Sequence, residues 1–541
     1  MWFHKDSTPF RMEIRGDFAC LVRYAGKDTD VEVPGDYEGK PVREIGENAF
    51  YDQSKLVSVK LPASVERIGM NAFRSCKALE TAEIPANCAE IGEHAFMGCG
   101  KLSQIELSEG LLKIPPRVFA KCASLTSLRI PDSVQEIGEE AFLGCERLNQ
   151  ADLGRGVRAL GEDVFRGCSP ALCAIFPETL QNLTEKTVAG CDRVYRRAPG
   201  GLELEIYTGH AQEIELDDEC MGETVVGLGE KVFALFAYLQ KVKLPSKLEW
   251  IEESCFAGCS GLKNVEFPSS LCKIGAKAFL GCGFNSLTFP ERLEEIGDGA
   301  FAGCGDLESV RFGGAPAIGS AAFARSALKE IDLPEGLTEI QTETFRECRS
   351  LTRVTIPSAL EAIWDDAFEG CENLEELNLP DSLELIGEGA FSGMTKLKSL
   401  KIPAKVREIG KEVIAYCENL ENVEIDDKNE RFINENGLLI DCAQKRLIAA
   451  IPRTVRGEVE IPDGIEIIGA SAFAGCDEIA SIKVPESVKT VSDWAFRDMP
   501  ALKTLKIACE IPEIGVSPLL GSENTQIIAP PETAERLKCI E

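Results

Sequence analysis

The feature that most narrows what this chain can become is a pattern that returns every 23 residues. It is plainest in residues 125–148, L-T-S-L-R-I-P-D-S-V-Q-E-I-G-E-E-A-F-L-G-C-E-R-L, where Leu148 takes the place of Leu125. Residues 102–125 repeat it closely, and residues 374–397 repeat it with other side chains. A short unit at a fixed period cannot bury its apolar side alone, so copies must stack and shelter one another.

The copy at residues 56–79 shows which side chains would be sheltered. Val59 and Leu61 flank Lys60, a period of two that sends the apolar pair inward and the lysine outward. Pro62 then ends the strand, because it has no N–H to give a ladder. Val65 and Ile68 form a second inward pair, and Gly69 reads as a turn residue free to take positive φ. Ala72, Phe73 and Cys76 are spaced like one or two turns of helix. The expected fold is an α/β repeat, a solenoid of short strands and short helical turns with about 18–20 coils.

The ladder residue marks the segments. Phe50, Phe73, Phe96, Phe119, Phe142, Phe165 and Val188 follow at unbroken intervals of 23. Phe233, Phe256, Phe279, Phe301, Phe323, Phe345, Phe368, Phe391 and Ile414 form a second run, and Phe473 and Phe496 a last pair. The expected division is a leader (residues 1–12) with an N-terminal cap in 1–49, a first array in 50–195 and a break with a cap-like restart in 196–232. A second array in 233–425, a β-hairpin inserted at 426–460, final repeats in 461–508 and a C-terminal cap in 509–541 complete it. The first and last coils need caps because each has an uncovered side.

The motif L-x-x-[IV]-x-[IL]-P-x-x-[VL]-x-x-I-G-x-x-A-F-x-G-C-x-x-L closely resembles the BspA-type leucine-rich repeat proteins, over roughly residues 20–530. The opening Y-A-G-K-D-T-D-V-E-V-P and the inserted E-N-G-L-L-I-D resemble recurring pieces of the same family. The resemblance implies a right-handed leucine-rich-repeat solenoid with a strand-lined face, in proteins that mostly serve at bacterial or protist surfaces and in adhesion. It brings no catalytic motif.

Composition closes several other routes. With 58 Lys and Arg against 89 Asp and Glu the net charge is −31, which repels phosphate backbones and anionic membranes, so no nucleic-acid partner is expected. No stretch approaches the roughly 20 apolar residues of a membrane helix, and no signal peptide opens the chain. The expected location is cytoplasmic for the sequence as given, or secreted or cell-surface if a signal was removed. Of 22 cysteines, thirteen share the position three residues after the ladder residue, where other copies carry Gln53, Ser326 or Met394. Such substituents point to packed thiols rather than disulfides or metal ligands, with oxidation between coils as the second reading.

Chemistry is sparse. His4, His94 and His210 have no sequence neighbours that make a nucleophile site, and His94 occupies a place held elsewhere by Asn71, Glu140 and Asp163. Cys255 and Cys259 are not a C-x-x-C pair, and neither a phosphate loop nor a D-x-D-x-D-G loop occurs. The expectation is a non-enzyme with no catalytic residue, metal site or cofactor. Function then falls to the outward strand positions Lys60, Glu83, Glu106, Arg129, Asp152, Lys243, Glu266, Arg311 and Asp332. This mixed-charge column holds no aromatic platform for sugars and suits a protein partner. Trp250, and Trp364 where most copies have Gly, are candidate anchors, with edge packing an equal alternative. The readings in order are an interaction scaffold for an unidentified protein partner, an exported surface adhesin, and a carbohydrate-active enzyme built around the 426–460 insertion.

Overall fold

A computed structural model describes residues 8–181, 183–184 and 186–538; of the leader, residues 1–7 lie outside it. The chain forms two compact units, residues 1–210 with 217–232 and residues 211–216 with 233–541.

In each unit the chain winds as a solenoid of parallel ladders. Ser58–Lys60 pairs with Thr81–Glu83, which pairs with Gln104–Glu106, one residue per coil in register. Val59, Ala82 and Ile105 point inward and are buried, while Lys60, Glu83 and Glu106 point out. A second ladder of two-residue strands carries the second inward side chain: Arg67–Ile68 pairs with Glu90–Ile91.

The turn around each ladder phenylalanine coils like a helix but divides its hydrogen bonds between two partners. The N–H groups of Ala72, Arg74 and Cys76 bond back three residues, to Gly69, Asn71 and Phe73. Those of Asn71, Phe73 and Ser75 bond forward into the next coil, to Glu93, Ala95 and Met97. The alternation is made by left-handed residues on either side of the phenylalanine, Asn71 (φ 54°) and Ser75 (φ 64°). The α-helix at Pro531–Lys538 is the only one among the described residues.

Gly69 is not among the left-handed residues, contrary to the expectation that it supplies positive φ. Its reason is proximity, since a Cβ there would lie 2.7 Å from the Glu47 backbone nitrogen, and at Gly92 2.4 Å from that of Met70. The glycine column is where one coil's backbone rests on the next.

The phenylalanines form internal stacks. In the first unit ring centroids from Phe50 to Phe165 are 4.9 to 5.7 Å apart and the rings are nearly parallel. In the second unit Phe233 to Phe368 continue at 4.9 to 6.0 Å. Beside them runs the cysteine column, in which most thiols donate to the ladder carbonyl of the preceding coil, while Cys476 donates to the Ala450 carbonyl of the inserted strand at 3.7 Å. Cys76 reaches Phe50 O at 3.1 Å, Cys99 reaches Phe73 O at 3.2 Å, and Cys259 reaches Phe233 O at 3.1 Å. The described cysteines are all free thiols.

Hairpins precede three of the runs of coils. Phe10–Arg15 and Phe18–Tyr24 pair antiparallel, so residues 10–12 belong to a strand and not to a loose leader. Phe18–Tyr24 then lies parallel to Lys40–Ile45. Arg193–Ala198 and Gly201–Tyr207 repeat the arrangement, the latter parallel to Glu223–Leu228. Residues 24–46 and 207–229 match without a gap, and the turns are built alike. A Cβ on Gly26 would lie 2.3 Å from the Tyr24 hydroxyl, and on Gly209 2.3 Å from that of Tyr207. The insertion holds three antiparallel strands rather than two, Phe432–Glu435, Leu438–Asp441 and Arg446–Ala450, and the last runs on in parallel with Ile467–Ile468. The third strand was hidden in the sequence because only Phe432 of its residues is buried.

Candidate functional site on the strand face

On the strand face much of the charge is spent within the protein. Lys60 bonds Glu32 at 2.9 Å, Lys243 bonds Glu215, and Asp332 takes Arg353 at 2.7 Å and the Thr355 hydroxyl at 2.5 Å. Exposed pairs of this kind contribute little stability but fix where charges point. Glu83, Glu106, Glu266 and Arg311 are exposed and form no ion pair among the described residues. Glu83 and Glu106 stand opposite each other in adjacent strands, an arrangement of like charges that costs stability.

Three of the outward residues meet in one recess of the first unit. Glu106, Arg129 and Asp152 line a cleft of about 680 Å³ with Glu109, Asp132, Arg155, Arg197 and Glu223. Asp152 is not an exposed position as its place in the strand implies; it is 3% exposed. The cover is Arg197, whose Nη2 donates to Asp152 at 2.9 Å while its Nε and Nη2 donate to Glu223 at 3.2 and 2.6 Å. Burial pulls the Arg197 guanidinium down, but its bonds to Glu223 and Asp152 more than offset this and hold it charged. Arg129 stands 3.6 Å from Asp152 on the solvent side.

Local sequence prepares the site. The prolines that end other strands, Pro62, Pro85 and Pro131, give way to Gly154, which takes φ +69° and donates its N–H to Asp152 at 3.0 Å. A Cβ at Gly154 would fall 2.5 Å from the Ile130 carbonyl oxygen, so only glycine fits. The next N–H, of Arg155, donates to Asp132 at 2.8 Å. The result is a fixed floor of paired charge beneath the exposed side chains of Glu106, Arg129 and Arg155, a surface suited to reading charge and lacking an arranged nucleophile.

The second unit has a groove of a different kind. The glycine column leaves a channel of about 550 Å³ floored by Gly275, Gly297 and Gly319, and lined at its edges by Glu252 and Gln341. One coil past Gln341 the column carries Trp364, which is half-buried and donates its indole N–H to Glu339 at 2.9 Å, joining Gln341 on the same carboxylate at 3.1 Å. Trp250 is also half-buried and stands in register with Lys273. Trp364 is therefore held at a coil edge, and neither tryptophan is fully exposed.

His94 is partly buried; burial, then the charges of Arg74 and Arg117, hold it below its ordinary pKa. Burial pushes the ladder thiols Cys76 and Cys122 up to about 12, which makes them inert. Among the described residues no group of three or more His, Cys, Asp or Glu side chains is arranged to hold a metal ion, and no helix is long and apolar enough to cross a membrane.

The model of the BspA type leucine rich repeat region matches residues 43–172, 112–196, 227–317, 316–438 and 456–538, most of the chain. The chain belongs to the BspA-type leucine-rich repeat family. Among solved structures this BspA-type chain is similar to a leucine-rich repeat protein from Bacteroides ovatus, at 25% identity over 79% of this chain and 96% of the other, TM-score 0.36. A leucine rich cell surface protein from Faecalibacterium prausnitzii matches at 23% identity over 78% and 94%, TM-score 0.28. A leucine-rich repeat protein from Eubacterium ventriosum matches at 20% identity over 46% of this chain and 60% of the other, TM-score 0.38. No curated protein matches the chain.

Proposed function

We propose that this BspA-type protein is a non-enzymatic scaffold that binds a macromolecular partner, a protein, through the strand face of its first unit. The observation that carries this reading is the recess at Arg129 and Asp152, where a buried ion pair anchors a floor and leaves Glu106, Arg129 and Arg155 presented to solvent. Charge on a rigid base orients a partner and rejects wrong ones more than it adds raw affinity. The unpaired stack of Glu83 and Glu106 supports the same face, since a partner's cations would relieve its repulsion. We further propose that the chain is organised as two arrays, each led by a cap, with residues 426–460 opening the final repeats.

The test is a pull-down with purified chain as bait, comparing wild type with the double variant Glu106→Lys and Arg129→Glu and with Lys121→Glu on the turn side. The reading expects the captured protein to be lost by the first variant and kept by the second, with circular dichroism showing that both variants are folded. Equal capture by all three would remove the strand face from the account.

A further inference from the structure

The ladder accounts for its thiols by burial and a carbonyl partner, but Cys173 and Cys220 stand off the ladder. Cys173 lies in Cys173–Phe176, the strand before the second hairpin, stands in register with Arg193 and keeps partial exposure to solvent. Cys220 ends the short strand Glu219–Cys220 in the restart segment, at the place where the first cap has Tyr37. That short strand packs directly on Cys173–Phe176, so Cys220 stands beside the strand that carries Cys173, and each thiol shifts the other's titration. Both belong to the first unit.

We infer that Cys173 and Cys220 form a peroxide-sensitive thiol pair whose disulfide pins the restart segment to the last coil of the first run. The environment divides the labour between them. The neighbouring Cys220 thiol and, against the effect of burial, the charge of Arg193 hold the Cys173 thiol below its ordinary value, while Cys173 and burial push Cys220 up. The more exposed sulfur is thus the attacking thiolate and the buried one resolves it. Cys173 attacks one oxygen of hydrogen peroxide, the O–O bond breaks, and the departing hydroxide takes a proton and leaves as water. Cys220 sulfur then attacks the sulfenic sulfur, the S–O bond breaks as the S–S bond forms, and hydroxide leaves with the Cys220 proton as a second water. Two thiols are oxidised and one peroxide is reduced.

The experiment treats the full chain with hydrogen peroxide, quenches with N-ethylmaleimide, and maps peptides with and without dithiothreitol. The expected result is one linked pair of peptides, carrying Cys173 and Cys220, that vanishes on reduction while Cys76, Cys99 and Cys122 are recovered as unoxidised thiols. In Cys220→Ser the link is lost and Cys173 becomes a sulfenic acid trapped by dimedone; in Cys173→Ser the link is lost and Cys220 gives no dimedone adduct. Cys173 recovered wholly as a thiol under conditions that oxidise free glutathione would overturn the inference, as would links confined to ladder cysteines.

Discussion

Replacing Gly92 with alanine isolates the contact on which stacking depends. The added Cβ would sit 2.4 Å from the Met70 nitrogen and 2.6 Å from the Gly69 carbonyl carbon, both backbone atoms of the preceding coil. Ordinary contact needs about 3.4 Å or more, so the coils must part locally by roughly 1 Å against a strand spacing of about 4.8 Å. No rotamer change can relieve a backbone clash, and overpacking of this order costs about 1–3 kcal/mol. Gly100, eight residues on, has nothing within 4 Å of its Cβ position and does not take positive φ. Alanine there should stabilise by about 0.4–1 kcal/mol by restricting the unfolded chain. The readout is native-state hydrogen exchange at the N–H of Asn71, which bonds Glu93 at 3.0 Å, and at the N–H of residue 92, which bonds Ile68 at 2.7 Å. Gly92→Ala should speed exchange there by roughly 5- to 150-fold, and Gly100→Ala should not speed it. If the two variants behave alike, the close approach of coils is not what the glycine column serves.

Three further outcomes follow from particular contacts. Phe119 is fully buried between Phe96 and Phe142 at 5.5 Å on each side, and Phe119→Ala should cost about 3–5 kcal/mol in calorimetry, whereas exposed Tyr51→Ala should cost less than about 0.5 kcal/mol. Arg197→Met removes the cover of buried Asp152, which keeps only Arg129 at 3.6 Å and the Gly154 N–H, and should cost about 1–3 kcal/mol, much of it recovered by adding Asp152→Asn; a double-mutant cycle with no coupling would break the account of the recess. Glu466 lies between Lys445 at 2.6 Å and Lys489 at 2.7 Å, whose hydrogen bonds hold its carboxyl at about 2 instead of 4.5. A folded value below the unfolded one means its contribution is present above pH 4.5 and fades as pH falls towards 2, so an NMR titration should show a low midpoint that rises in Lys445→Met.

The coil was legible because its signals lie within one period. Val59 and Leu61 mark the strand, Pro62 its end, and Phe73 with Cys76 the turn, and each does so again 23 residues later. The restart could be read for the same reason, from Tyr24 and Gly26 recurring as Tyr207 and Gly209. What stayed hidden depends on distant pairs or on atoms. Asp152 sits at an outward position, and its cover, Arg197, comes 45 residues later from a hairpin the repeat does not predict. The local hint was Gly154 in a proline's place. Gly69 was misread because a sequence shows that a side chain is missing but not whether torsion or crowding requires it. Trp364 was recognisable as a departure, but its bond to Glu339 and half-buried setting were not.

Hydroxyl-radical footprinting of the chain alone and with its captured partner tests recognition by the strand face most directly. The account predicts protection of the Glu106, Arg129 and Arg155 side chains, with turn-side Lys121 and Tyr51 unchanged. Protection confined to the turn side, with the recess as reactive as in the free protein, would contradict it.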